Sequence, residues 1–191
     1  MTNAYAVLIL TIFAVSALTI SPVRPVHMFT GTLVKELVET SDPVPGDPVP
    51  GDPGLMPNKT LTPGAIDPRV TQANIEQTIC VPGYTATVRN VTVATKRKVF
   101  EEYGLDYANH SGDYEVDHFV SLEIGGLNDL SNLWPQRYAP KPGAREKDVV
   151  ETHLHRVICK GQMSLSAAQA IIMNDWYGCY QKIKSGTECV P

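Results

Sequence analysis

An aspartate followed directly by a histidine, Asp117-His118, is the feature of this sequence best suited to chemistry. Hydrolysis of a phosphodiester bond requires a cation that neutralises charge at the phosphate and a neutral imidazole that takes a proton from the attacking water. A carboxylate next to a histidine can supply a cation ligand and that base if the backbone turns both towards one point. An isolated pair of this kind is most often a surface carboxylate beside a hydrogen-bonded histidine, so the surrounding residues decide the interpretation.

The surrounding residues add glycine and asparagine positions at short spacing. The pair lies in the segment Tyr114–Ile124, which is followed by Gly125-Gly126 and then by Asn132-Leu-Trp-Pro. An asparagine in a loop that folds back can hold the loop or the histidine through its amide group, and a helix packed under the strands would close a metal site. We therefore interpret these residues as one compact site.

The flanking segments predict the α+β fold class. Residues Tyr84–Asn90 alternate with a period of two and predict a strand, and Tyr114–Ile124 has the β-rich composition of a hairpin. Three further segments predict helices, the last of them with Ser164 as its N-cap: Val93–Tyr103, Ala144–Cys159 and Leu165–Ile183.

The charge balance restricts where a nucleic acid could bind. The formal net charge of the chain is -4. From Arg69 to the end, 13 Lys and Arg stand against 14 Asp and Glu, a balance of -1. Because this part of the chain is close to neutral, any phosphate-binding surface on it must be local.

The N-terminal third predicts export and a spacer. Residues 4–20 form an apolar run without charge, which we interpret as a signal peptide; an uncleaved membrane anchor is the alternative. The repeat Asp-Pro-Val-Pro-Gly, at residues 42–46 and 47–51, cannot join a helix or a central strand, because proline fixes φ and lacks an N–H. We therefore expect a Pro-rich extended spacer over residues 21–68 and a domain over residues 69–191. Both alternatives for residues 4–20 place that domain outside the cytoplasm, secreted or periplasmic in the first case and membrane-attached in the second.

Four cysteines without a CxxC pair indicate disulfides rather than a zinc knuckle. Three pairings are open. We favour Cys80–Cys159 with Cys179–Cys189, because the last two cysteines are close in sequence and the first two flank the Asp-His region. Four free buried thiols are the alternative, and would fit a cytosolic protein better.

The combination of these motifs resembles the HNH (ββα-metal) nuclease family, and in particular an exported bacterial HNH-like subgroup. The specific part runs from the Asp-His pair through Gly125-Gly126 to Asn132-Leu-Trp-Pro, and the resemblance covers residues 70–176. It implies a ββα-metal core of a hairpin and a helix, with extra flanking helices, an N-terminal strand and stabilising disulfides. It further implies an endonuclease that acts on DNA, with RNA as the alternative, and that uses no nucleotide cofactor.

The same resemblance implies roles for individual residues. His118 would be the general base, Asp117 a metal ligand, and Asn132 a catalytic-site residue with an orienting role. The metal would be a single divalent ion, Mg2+ first and Mn2+ or Zn2+ as alternatives. Substrate phosphate contacts would come from cations near the following helix: Arg145 or Lys147, with Arg137 and Lys141 as further candidates.

One position departs from the family pattern. The family places a second metal ligand near the start of the helix that follows, where this chain has Gly143, and glycine offers no ligand atom. Glu146, Asp148 and Glu115 are the candidate substitutes. The alternative to a nuclease is therefore a non-catalytic HNH-like binding module with a degenerate metal site, and a structural protein in which the motif is a coincidence is the third reading.

Overall fold

The computed structural model describes residues Asp52–Cys189. The apolar segment of residues 4–20 and the proline repeats of residues 42–51 lie outside the described residues. Within the described part of the chain, no helix is long and apolar enough to cross a membrane.

The described residues form a mixed α+β fold, which confirms the predicted class. Short 3-10 turns at Gln72–Gln77, Leu122–Ile124 and Leu130–Asn132 join the main elements. In chain order these elements are α1 (Tyr84–Val88), α2 (Val93–Glu102), α3 (Tyr107–His110), β1 (Tyr114–His118), β2 (Leu133–Arg137), α4 (Ala144–Cys159) and α5 (Leu165–Lys184).

The two strands form an antiparallel sheet in which Asp117 pairs with Trp134 and His118 with Leu133. The prediction of a hairpin within Tyr114–Ile124 was wrong, because β1 ends at His118 and its partner lies beyond residue 132. The residues after His118 leave the sheet because their apolar side chains do not alternate: Phe119 and Val120 are both fully buried. We call residues 119–132, which connect the two strands, the site loop.

The predicted strand at Tyr84–Asn90 was also wrong. Residues Tyr84–Val88 form the short helix α1, which begins after Gly83 and ends at Arg89. The alternation would place Tyr84, Ala86 and Val88 on one face of a strand. None of the residues of α1 is fully buried, however, so no buried face selects a strand here.

The three predicted long helices are confirmed. The Oγ of Ser164 accepts a hydrogen bond from the Ala167 N–H at 3.2 Å and caps α5, as expected. Helices α4 and α5 pack against each other through buried side chains that include Leu154, Ile172 and Trp176. A second apolar cluster, with Phe100 and Trp134 at its centre, joins α2 to the sheet.

The domain begins earlier than the predicted boundary at residue 69. The side chain of Asp52 forms an ion pair with Arg137 at 3.0 Å. The buried hydroxyl of Thr62 donates to the Leu133 carbonyl at 2.9 Å, and Ile66 forms a β-bridge with Gly126. Residues 52–68 are therefore part of the packed domain and not of a spacer.

Two disulfides close the fold, in the pairing that the sequence favoured. The long-range disulfide joins Cys80 to Cys159, at the end of α4, and the C-terminal disulfide joins Cys179 in α5 to Cys189. Disulfides persist in oxidising compartments, so this pairing indicates an environment outside the cytoplasm.

Candidate functional site

Asn132 folds the site loop back onto the end of β1. Its side-chain Oδ1 accepts from the N–H of Val120 at 2.9 Å and of Ala65 at 3.2 Å. Its Nδ2 donates to the carbonyls of Val120 at 2.9 Å and Leu127 at 2.8 Å. Asn132 is fully buried, and all four hydrogen-bonding positions of its amide are used. This arrangement is an orienting one of the kind expected for Asn132.

Close backbone approach explains the second glycine of the Gly125-Gly126 pair. A Cβ at residue 126 would lie 1.8 Å from the Val120 carbonyl oxygen and 3.0 Å from Nδ2 of Asn132. A side chain at this position would break the turn that Asn132 holds together.

His118 is held in one tautomer by Asn128. The imidazole Nε2 lies 3.1 Å from Oδ1 of Asn128. The amide orientation of Asn128 is fixed independently, because its Oδ1 also accepts from the Asn90 N–H at 3.1 Å and its Nδ2 donates to the Val88 carbonyl. Nε2 must therefore carry the proton, and Nδ1 of His118 keeps its lone pair.

Burial keeps the imidazole neutral. His118 is 2% exposed, and this burial lowers its pKa, while the charge of Asp117 and the hydrogen bond to Asn128 oppose the shift. The positive charges of Arg89 and Lys147 act in the same direction as burial. A neutral imidazole with a free Nδ1 lone pair is the form that a general base requires.

Asp117 is paired with a buried lysine. The Nζ of Lys147 lies 2.7 Å from Oδ2 of Asp117 and donates to the His118 carbonyl at 2.7 Å. It also forms an ion pair with Glu151, one turn further along α4. Burial acts to lower the pKa of Lys147, but the charges of Asp117 and Glu151 outweigh it and raise the pKa, so the ammonium stays charged.

The structure does not place Lys147 where a substrate phosphate could reach it, which corrects that expectation. The side chain of Lys147 is fully buried, and its ammonium is engaged by three oxygen atoms. Arg137 pairs with Asp52, and Lys141 pairs with Glu146 at 3.1 Å. Arg145 is exposed and lies over the ring of Tyr138, 5.3 Å from its centroid, so it remains a candidate phosphate contact.

The start of α4 cannot carry the second metal ligand that the family pattern would place there. A Cβ on Gly143 would lie 2.4 Å from the Arg137 carbonyl oxygen, so a side chain does not fit. Glu146 is turned back to the helix end, where its Oε2 accepts from the Gly143 N–H at 2.9 Å. Of the three candidate substitutes, Glu146 is therefore the one directed away from Asp117.

Two further carboxyl groups, Glu115 and Asp148, interact electrostatically with Asp117, and a third, Glu123, interacts with Asp148. Loss of solvent contact raises the pKa of Glu115 and of Asp148, and the negative charge of Asp117 raises both further. The charge of Glu123 acts on Asp148 in the same sense. One carboxylate oxygen of Glu123, Oε2, is buried without a hydrogen-bond partner among the described residues. These groups would all gain from a nearby cation.

A separate group of potential ligands lies at the long-range disulfide. Ligand atoms of Cys80, His155 and Cys159 lie within 4.8 Å of one another, a spacing that could hold a metal ion. Within residues 52–189, no other group of three His, Cys, Asp or Glu side chains has this spacing. Metal binding by cysteine requires thiolate, and both sulfur atoms are joined in the disulfide. In the oxidised protein, Nε2 of His155 donates to the Ile79 carbonyl at 2.9 Å instead.

From the sequence, Asn128 had no assigned role and Lys147 had the wrong one. Asn128 lay inside the motif region, yet only the fold shows that its amide reaches back to α1. Lys147 was predicted to contact substrate phosphate, although it shares a helical stripe with Val150, Leu154 and Glu151, and that spacing is the signal of a buried face.

Comparisons of this chain with protein-family models, with curated proteins and with solved structures found no match.

Proposed function

We propose that this chain is an exported, metal-dependent nuclease with a ββα-metal core that hydrolyses phosphodiester bonds of DNA, with RNA as the alternative substrate. The observation that carries the proposal is the state of His118. A buried, neutral imidazole with its Nε2–H held by Asn128 offers Nδ1 as the proton acceptor. In the order strand, loop, strand and helix, β1, β2 and α4 supply the elements that such a core requires.

His118 would take a proton from the attacking water at Nδ1. Asn128 keeps the ring from rotating and holds the proton on Nε2, which leaves Nδ1 as the nitrogen that can accept a proton. Asn132 holds the site loop so that His118 and Asp117 leave β1 in a fixed orientation. The chain's own contribution is therefore a positioned base whose state is set before substrate binds.

A divalent cation, Mg2+ first, is part of this proposal. Asp117 has one oxygen engaged by Lys147 and the other available, and this second oxygen is the proposed ligand for a hard cation, which prefers oxygen. Glu123, whose Oε2 has no hydrogen-bond partner among the described residues, and Asp148 would have to move to join it, because these three carboxyl groups do not have the spacing of a preformed metal site. When bound, the ion would neutralise charge on the scissile phosphate.

The test is cleavage of supercoiled plasmid and of single-stranded RNA by the oxidised protein with Mg2+, Mn2+ or EDTA. His118→Ala should lower the cleavage rate by about 10²- to 10⁴-fold, the usual contribution of a general base. His153→Ala is the matched control, because His153 bonds only to Arg156 on the exposed face of α4, and it should cleave like the wild type. Equal cleavage by wild type and His118→Ala would show that the base is assigned wrongly.

A non-catalytic HNH-like binding module is the second candidate function. Two observations favour it: the ammonium of Lys147 already neutralises Asp117, and Gly143 leaves no room for a ligand side chain. In that case a folded sample would bind nucleic acid and cut it with none of the metals. The two functions are therefore separated by the same plasmid assay, run beside a binding measurement.

A further inference from the structure

A polar cleft of about 230 Å³ opens beside the candidate site. Glu115, two residues before Asp117 on β1, lines this cleft together with Arg89, Lys96, Tyr107 and Tyr138. We call it the Arg89 cleft. It is smaller than the roughly 300–1,000 Å³ of sites for drug-sized ligands and suits a group of the size of a phosphate with its sugar.

Two cations in the cleft form no ion pair with the described residues. The exposed side chain of Arg89 makes no hydrogen bond or ion pair with any residue of the described part of the chain, and the same holds for the half-buried side chain of Lys96. Arg89 is also close enough for its charge to act on both His118 and Glu115. The guanidinium group of Arg89 therefore lines the cleft and also acts electrostatically on the candidate base.

The position of Arg89 is fixed relative to His118 by the backbone on either side of it. Asn128, whose Oδ1 accepts from Nε2 of His118, also bonds the carbonyl of Val88 and the N–H of Asn90. One amide group thus ties the histidine to both neighbours of Arg89. The backbone that carries Arg89 is therefore positioned before any ligand arrives, and its guanidinium remains available to a ligand.

The side chains that line the cleft carry one more positive than negative charge. The carboxyl group of Glu115 is hydrogen-bonded to Tyr138, and two cations stand against this one acidic side chain in the lining. The half-buried rings of Tyr107 and Tyr138 add flat apolar surface to the walls. Paired cations with aromatic rings beside them are the composition of a nucleic-acid backbone site.

We propose that the Arg89 cleft binds a backbone phosphate of the nucleic acid, next to the phosphate that is hydrolysed at His118. This inference rests on the proposed function for the identity of the ligand. It assigns phosphate recognition to α1 and α2, on one side of β1, instead of to the buried Lys147 of α4.

The experiment measures binding of a fluorescein-labelled DNA duplex by anisotropy, as a function of salt, in the full oxidised chain carrying His118→Ala, with EDTA present. Adding Arg89→Ala should weaken binding and lower the slope of log K against log salt by about 0.9, the value for one phosphate contact. Lys96→Ala should lower the slope in the same way, whereas Arg89→Lys should keep it. Lys98→Ala, an exposed cation on the same helix as Lys96, is the matched control and should leave the slope unchanged.

Each result separates this inference from the proposed function. One outcome is that Arg89→Ala and Lys96→Ala bind DNA like Lys98→Ala while the chain with His118 intact cleaves plasmid. This result would refute phosphate binding in the Arg89 cleft and support the nuclease proposal. If binding depends on Arg89 but no metal supports cleavage, the cleft is supported and the catalytic proposal fails. Absence of any salt-dependent DNA binding would overturn the cleft.

Discussion

Removing the ammonium group of Lys147 should be among the most damaging single changes in this domain. The change Lys147→Met keeps an unbranched side chain of similar length in the core and deletes the charge. It leaves the carboxylates of Asp117 and Glu151 without their shared partner, and the His118 carbonyl without its donor. Removing one partner of a buried ion pair destabilises a protein by about 3–5 kcal/mol.

The exposure of the two carboxylates narrows that range. Their side chains retain 13% exposure for Asp117 and 11% for Glu151, so water can reach part of each after the ammonium is lost. We therefore expect the free energy of unfolding to fall by about 3 kcal/mol, the lower end of the range. This is a large share of the roughly 5–15 kcal/mol that stabilises a typical domain.

Urea unfolding monitored by tryptophan fluorescence measures this loss, because Trp134 and Trp176 are both fully buried. The denaturant slope m should stay unchanged, which would show that stability and not compactness has altered. Lys98→Met, at an exposed position, is the control and should change the free energy of unfolding by less than about 0.5 kcal/mol. A loss below about 1 kcal/mol in Lys147→Met would refute the burial of its ammonium between two carboxylates.

The pH dependence of the stability lost in Lys147→Met is a second test of the same residues. Burial raises the pKa of Glu151 to about 7, against the opposing charge of Lys147. A carboxyl group whose folded pKa lies above its unfolded value favours the folded state below the unfolded pKa, near 4.5, and loses this contribution as the pH rises towards 7. Without the ammonium group, the pKa of Glu151 should rise further. The loss in the free energy of unfolding caused by Lys147→Met should therefore become smaller as the pH falls from 8 to about 5.

The remaining predictions concern the loop, the disulfides and the histidine. Asn132→Ala leaves buried backbone groups of the site loop without hydrogen-bond partners and should lower the free energy of unfolding by about 3 kcal/mol or more. The amide hydrogen of Val120 should exchange faster in this variant. Exchange at Val120 as slow as in the wild type would contradict the role of Asn132. The long-range disulfide closes a loop of 79 residues and the C-terminal disulfide a loop of 10. From these lengths, their loss should lower the free energy of unfolding by about 4.5 and about 2.7 kcal/mol, respectively, in urea unfolding of the cysteine-pair variants. The reverse order would refute the estimate. Because folding lowers the pKa of His118, the unfolded chain binds a proton at this histidine before the folded chain does as the pH falls. In EDTA, the free energy of unfolding should therefore fall below pH 6.5 by up to about 1.4 kcal/mol per pH unit relative to that of His118→Gln. Identical pH profiles for the two proteins would place the ring in water.

Local patterns in the sequence were enough to predict the long helices and the cysteine pairing. Helix α4 was predicted with the bounds that the structure has, because its apolar residues recur on one face and a glycine precedes it. The Asp-His pair was also placed correctly at the end of a strand. The helices depend on neighbours within a few turns of the chain, where spacing determines the outcome. The Cys80–Cys159 disulfide spans 79 positions and followed from pairing the two nearby cysteines first.

What the sequence did not predict depends on contacts between distant segments. The partner of β1 lies beyond a loop of buried apolar residues, and only packing decides that Phe119 leaves the sheet. Residues 52–68 read as a spacer because of their prolines, yet Asp52 and Thr62 meet partners more than 70 positions away. The tautomer of His118 depends on Asn128, whose amide is oriented by the backbone of α1.

The charges around Asp117 bear on whether a lysine and a metal ion can share that carboxylate. Five carboxyl groups and three cations interact within this region: Glu115, Asp117, Glu123, Asp148 and Glu151 against Arg89, Arg145 and Lys147. With all of them ionised, the balance is -5 and +3, a net charge of -2. Burial is the main cause of the raised pKa values of Glu115 and Asp148, and the negative charge of Asp117 adds to it. One divalent cation would neutralise this excess without displacing the ammonium, because Lys147 engages only one oxygen of Asp117. The buried lysine therefore acts as part of the scaffold that orients Asp117, and it is compatible with a metal on the opposite oxygen.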